Sequence, residues 1–209
     1  MNARRSYHRA SEAERREELI AATLDCIAEA GIEGATVRQI AARAGVTAGL
    51  IRHYFTSKDQ MLQAAYRRLM NGITETTTAA AKGDDPRTRL RRFIVANVTP
   101  PVTDSRTLSL WAAFISHIPL DPAFAAIHRE SYLGFLGELE KLLLAFFADS
   151  KRTVSAGECR SCAIALNGLI DGLWLEATLA PDMFKDHEIA ETAIVSVEAL
   201  LRLPPGELS

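Results

Sequence analysis

Residues 36–55 of this 209-residue chain read TVRQIAARAGVTAGLIRHYF, and no other stretch limits the fold as strongly. Thr36 followed by Gln39 is a capping box: the hydroxyl accepts from an amide that the helix start leaves unpaired, and the glutamine bonds back to the cap's own N–H. Thr47 is a second cap. Between the two lies Ala44-Gly45-Val46, where glycine can take the left-handed backbone that a sharp turn between crossed helices needs. Ile40, Ala41, Val46, Ile51 and Phe55 fall at positions that can share one small core. Two short helices, one turn and a small core predict a helix-turn-helix, whose second helix lies in the major groove of DNA.

The outward face of that second helix holds Thr47, Ala48, Gly49, Arg52 and His53, with almost no acidic residue nearby. Small residues at its start let the backbone approach DNA, and the first amides favour a phosphate there. The hydroxyls of Thr36 and Thr47 can add phosphate hydrogen bonds. Arg52, one turn on, can reach a base edge, where guanine O6 and N7 are the usual bidentate target. His53, Tyr54 and Lys58 fall toward the phosphate backbone and would fix register. Arg4, Arg5 and Arg9 precede the first helix as a basic arm. The plainer alternative is an antiparallel helix pair with an exposed charged face. Two caps, the glycine turn and the acid-poor face together favour DNA.

Charge agrees with one DNA-facing end. Residues 1–70 carry 11 Lys/Arg against 8 Asp/Glu, and the remainder carries 13 against 18. A basic front on an acidic remainder excludes a histone-like coat and suggests that one end alone meets a polyanion.

Helical spacing dominates the remainder, and strand alternation is nearly absent. Ser11 with Glu14 opens a first helix, and Ile20, Leu24 and Ile27 form one buried stripe. Gly31 stops it. A helix from Ser57 runs toward Ala81, and Lys82-Gly83-Asp84-Asp85-Pro86 breaks the chain. Further helices are expected near 87–98, 104–118, 122–148, 155–180 and 185–202. The prediction is an all-α fold of about nine helices. Residues 1–60 would form the helix-turn-helix domain and residues 61–209 a ligand-binding and dimerisation domain. The longest stretch without a charge, Thr107–Leu120, has 14 residues. A membrane span needs about 20, so no membrane partner is expected. Cys26, Cys159 and Cys162 are too few for a disulfide scaffold, and the expected location is cytoplasmic.

Thr36 to Leu62, with its turn, its His53-Tyr54-Phe55 triplet and its Lys58, closely resembles the DNA-binding domain of the TetR family of bacterial repressors. That resemblance implies an all-helical homodimer: three N-terminal helices on a double-stranded operator, and a larger C-terminal domain that dimerises and holds a small-molecule effector. One departure is Leu50, where many members carry a polar residue. Leu169-Ile170-Asp171-Gly172-Leu173-Trp174-Leu175 and Trp111-Ala112-Ala113-Phe114 resemble the BetI-type branch, which implies a choline-like effector.

Asp171 lies in an apolar helix beside Trp174, and a buried carboxylate needs a partner. One reading makes Asp171 the counter-charge for a cationic ligand, with Trp111, Phe114 and Trp174 offering ring faces. The other makes Asp171 a structural residue held by an amide or an arginine, and the rings core. Gly168-x-x-x-Gly172 marks either a dimer seam or a tight crossing within the chain. Family analogy favours the seam, with Leu173, Val195, Leu200 and Leu201 as apolar contributors. Cys159-x-x-Cys162 lacks the further ligands of a structural zinc site, and no cofactor motif occurs. Two rivals remain: a helical enzyme using Asp171 or His128, and a DNA binder that answers to no ligand.

Overall fold

The computed structural model describes residues 11–185 and 187–208; the basic arm at Arg4, Arg5 and Arg9 lies outside them. Among the described residues the architecture is all-helical, with nine α-helices. They are α1 (Glu12–Gly34), α2 (Val37–Arg43), α3 (Ala48–Tyr54), α4 (Lys58–Ala80), α5 (Pro86–Asn97), α6 (Ser105–Ile115), α7 (Pro122–Asp149), α8 (Ala156–Leu179) and α9 (Glu188–Leu201).

Helix boundaries follow the caps. Ser11, Thr36, Thr47, Asp85, Asp104, Asp121 and Ser155 each accept a backbone amide from the helix they precede. Full capping boxes close at Ser11–Glu14, Thr36–Gln39 and Ser155–Glu158. Gly31 breaks the helix as expected, with non-helical φ at 70° and ψ at 176°, and a separate short turn of helix follows to Gly34. The last helix departs from the pattern. A single turn of 3-10 helix occupies Pro181–Met183. His187 then takes the left-handed conformation with no side-chain cap, so α9 begins at Glu188 rather than near 185.

The chain forms two compact units, divided after Arg68. The boundary expected at residue 60 comes earlier than this division. Met61, Leu62, Ala65 and Tyr66 are all buried and belong to the first unit, so the start of α4 completes that unit. α1 packs on α2 and α2 on α3, around Leu19, Ile20, Ile27, Ile40, Ile51 and Phe55. α4 then continues unbroken into the second unit.

In the second unit α7 packs against α5 and α8, and α9 packs against α5 and α8. Leu90, Phe93, Leu139, Leu143, Ala163, Leu166 and Val197 form the fully buried centre. Truncating one such side chain, as in Leu143→Ala, costs about 2–5 kcal/mol through lost burial and the cavity left behind. α8 alone among the described helices is long and apolar enough by composition to cross a membrane, with mean hydropathy 1.3 over its most apolar 18 residues. One stripe of it is packed within the unit. Ala163, Leu166 and Ile170 are packed inside, and Asp171 interrupts the run.

Candidate nucleic-acid interface and ligand cavity

The turn between α2 and α3 is fixed by its backbone. Gly45 has φ at 64°, the Ala44 amide donates to the Ile40 carbonyl at 2.9 Å, and the Val46 amide donates to the Ala41 carbonyl at 2.9 Å. Ile40, Ala41, Ile51 and Phe55 are buried beneath it, with Val46 half-buried. That small core turns the remainder of α3 outward. Thr47, Gly49, Arg52 and His53 are exposed, and Ala48 and Tyr54 are half-buried. His53 and Tyr54 meet edge to face with ring centroids 5.2 Å apart.

Three expected phosphate contacts already make hydrogen bonds within the chain. The Thr36 hydroxyl donates to Gln39 Oε1 at 2.8 Å, so it must exchange that partner to bond a phosphate. Thr47 accepts the Leu50 amide and keeps its own proton. Lys58 Nζ donates to the Ile32 carbonyl at 3.0 Å. One of its three donors therefore ties the start of α4 to the end of α1.

The acids of α1 bind the neighbouring arginines. Arg43 pairs with Asp25 and Glu29, Arg15 with Glu18, and Arg68 with Glu17. Arg16 approaches Glu17 and lies over the Phe55 ring. Arg52 on α3 and Arg38 on α2 are both exposed. Arg38, at the first turn of α2, is not among the residues that the sequence assigns to DNA.

The second unit contains a cavity of about 310 Å³, at the small end of the roughly 300–1,000 Å³ typical of ligand pockets. Its wall is mostly apolar: Met70 and Ile73 of α4, Ile115 of α6, Phe135 of α7 and Ile170 of α8. Trp111 and Trp174 line it together, edge to face with centroids 5.4 Å apart. The Trp174 indole N–H donates to the Val102 carbonyl at 2.8 Å, which fixes that ring. Asp171 also lines the cavity and accepts from the Asn167 side-chain amide at 2.8 Å. Burial among cavity atoms pushes its carboxyl pKa up, while the Asn167 hydrogen bond and the charge of His128 pull the other way. The residue as a whole remains exposed to solvent.

Phe114 does not join this group. It is fully buried and packs on Phe124 with centroids 6.0 Å apart. On α6 the cavity-facing pair is Trp111 and Ile115, one turn apart, and Phe114 is turned aside toward α7. The cavity also gains polar residues that had no assigned place as ligand contacts: His128, Ser131 and Tyr132 of α7, and Asn97 of α5. Of these, the sequence offers His128 only as a candidate group of an enzyme, and Tyr132 only by its place one helical turn further on.

The outer faces of α8 and α9 sharpen the seam expectation. A Cβ added at Gly168 or Gly172 would meet nothing within 4 Å, so neither glycine serves a tight crossing inside the chain. Ile164, Leu175, Leu179 and Val195 are the exposed apolar residues there. Leu201 is buried in the core and is not an outward contributor, whereas Leu173 and Leu200 pack against the core and stay half-buried. Among the described residues no group of three metal-ligating side chains forms. The Cys159 thiol donates to the Glu140 carbonyl at 3.7 Å, and burial pushes its pKa up.

Comparison with known proteins covers both units. Residues 86–202 match the family of BetI-type transcriptional repressor C-terminal domains. Residues 19–65 match the tetR family of bacterial regulatory proteins. The HTH-type transcriptional regulator BetI of Burkholderia mallei (strain NCTC 10229) is 36% identical over 189 residues, covering 90% of this chain and 93% of that protein. The BetI regulator of Burkholderia cenocepacia (strain HI2424) is 35% identical over 79% of this chain and 83% of its own length. A solved transcriptional regulator from Pseudomonas aeruginosa PAO1 superimposes with a TM-score of 0.79 at 29% identity, over 96% of this chain and 95% of that one. A regulator from Saccharomonospora viridis, solved in complex with choline, shares the fold at a TM-score of 0.73 and 19% identity, over 90% of this chain and 96% of its own.

Proposed function

Because the chain belongs to the TetR family, with a BetI-type C-terminal domain, it is a transcriptional regulator, and we propose a division of labour between its two units. The first reads a pseudo-palindromic operator through α3, and the second senses a quaternary amine in the cavity. Occupancy of the cavity releases the DNA. The family consists of regulators rather than enzymes, and a DNA-binding regulator acts in the cytoplasm.

On the DNA side, Arg52 reads a base edge and the α3 start rests against phosphate. Thr47, Ala48 and Gly49 make the close approach, with Thr36, His53, Tyr54 and the spare donors of Lys58 on the phosphate backbone. A helix-turn-helix dimer places its recognition helices about 34–36 Å apart, one turn of DNA. The protein would achieve this as a homodimer through the outward faces of α8 and α9, around Gly168, Gly172 and Val195.

The observation that carries the effector reading is the convergence of Trp111, Trp174 and Asp171 on one small cavity. A quaternary ammonium has no N–H, so hydrogen bonds cannot hold its head group. Ring faces and a carboxylate can, and a desolvated cation–π contact contributes about 2 kcal/mol. The choline complex of the Saccharomonospora regulator supports the same ligand class. α4 supplies Met70, Ile73 and Thr74 to the cavity wall and begins at Lys58 in the first unit, so one helix runs from effector to DNA-binding core. Linkage then requires that the cation bind the DNA-free state better, and that DNA weaken cation binding by the same factor.

Calorimetry with choline tests the effector. Binding at or below millimolar concentration, lost in Asp171→Asn, is the expected result. Equal affinity for choline and its uncharged carbon isostere would remove the cation reading and leave the regulator with another effector.

A further inference from the structure

The cavity wall carries one carboxylate, Asp171 on α8, and one imidazole, His128 on α7, and no lysine or arginine. We propose that His128 sets how tightly the cavity takes a cation, by competing with the ligand for the charge of Asp171. This rests on reading the cavity as a cation site. When the imidazole is neutral, the carboxylate is the single formal charge on the wall and attracts a cation. When the imidazole is protonated, Asp171 is offset from within, and a second positive charge in a cavity of about 310 Å³ is repelled.

The surroundings leave few other groups for this role. From α7, Tyr132 stacks on the His128 ring with centroids 6.4 Å apart and 23° between planes; a phenol stays neutral until about pH 10. From α4, α5 and α6 the wall is Met70, Ile73, Thr74, Asn97, Trp111 and Ile115, none of which titrates. Glu75 of α4 and Glu130 and Glu138 of α7 line an adjoining groove, which meets the cavity at Thr74, Ser131 and Phe135. Carboxyl groups as a class titrate well below imidazoles. His117 approaches the Phe124 ring and is not part of the wall. Burial pushes the Asp171 carboxyl pKa up, and the charge of His128 pulls it the other way.

Binding of a cation therefore expels a proton. Affinity should be level above the imidazole titration and fall as pH drops through it, by up to tenfold per pH unit. The chain's two tryptophans, Trp111 and Trp174, both line the cavity, so intrinsic fluorescence reports occupancy directly. The experiment is a fluorescence titration of the full-length protein from about pH 7.5 to about pH 5.5, with choline and with its uncharged carbon isostere. Choline affinity is expected to fall about tenfold over that span while the isostere is unaffected. His128→Gln should flatten the choline profile at the high-pH affinity. His128→Phe, which keeps a ring against Tyr132, should do the same and serves if the glutamine variant does not fold.

A flat profile in the unaltered protein, or tighter binding at low pH, would overturn the role of His128 while leaving the cation site intact. A fall that persists in both variants would overturn it too, since the titrating group would then be Asp171. Failure of choline to bind at any pH would instead remove the cation reading on which the proposal rests.

Discussion

The two units use polar side chains in opposite ways. In the first, the groups assigned to DNA point outward from a backbone fixed by caps and a glycine turn, and acids of α1 tie up most neighbouring arginines. In the second, polar groups from four helices converge inward on an apolar cavity. An outward face can be specified by a few consecutive residues. A cavity is specified by distant residues that meet only after folding. The difference teaches that the outward face of the first unit depends on local backbone, whereas the cavity of the second depends on how distant helices pack.

The comparison can be broken by substitutions that separate the two roles. The largest effect is expected from Val195→Glu, a charge on the exposed apolar face of α9. It should dissociate the dimer and lower operator affinity about 10²–10⁴-fold by removing the second half-site from reach. Cation binding should be retained. Sedimentation beside DNA titration measures both, and a dimer that persists would place the seam elsewhere. Next, Arg52→Ala should cost about 1–3 kcal/mol on the operator and relax preference at one base pair. Selection from randomised DNA checks this, and lost affinity with unchanged preference would make Arg52 a phosphate contact. Trp111→Leu should weaken cation binding roughly 10- to 30-fold and leave DNA affinity nearly intact. Trp111 is the better choice than Trp174, whose indole also holds the Val102 carbonyl. The smallest effect is expected at Gly45→Ala. Nothing would clash with the new Cβ, so the cost is the left-handed backbone alone, about 1–2 kcal/mol of stability. Thermal unfolding would report it, together with weaker DNA binding.

These expectations reflect how differently the units were legible. The turn at Gly45 and the caps at Thr36 and Thr47 follow from local chemistry, so the first unit could be drawn from sequence nearly residue by residue. Lys58 is the instructive limit there. Its position was evident, but its bond to the Ile32 carbonyl depends on α1 and α4 meeting. In the second unit Trp111, Trp174 and Asp171 were singled out from two sequence fragments, and the cavity holds all three. Phe114 was grouped with them because it shares the fragment, yet on α6 it turns toward Phe124. Leu201 was expected at the seam and is buried in the core, while Leu173 and Leu200 keep only part of their surface outside it. His128 entered the sequence reading only as a candidate group of an enzyme, and Tyr132 did not enter it, since nothing local tells which face of α7 will meet α8.

The central claim is that occupancy of the cavity by a cation reduces operator affinity. It is tested most directly by titrating choline into the protein bound to labelled DNA from upstream of its own gene, following DNA anisotropy and tryptophan fluorescence in the same sample. The account predicts that the two signals change over one concentration range, and that DNA weakens choline affinity by the factor by which choline weakens DNA affinity. Tryptophan fluorescence that saturates while the DNA remains fully bound would contradict it.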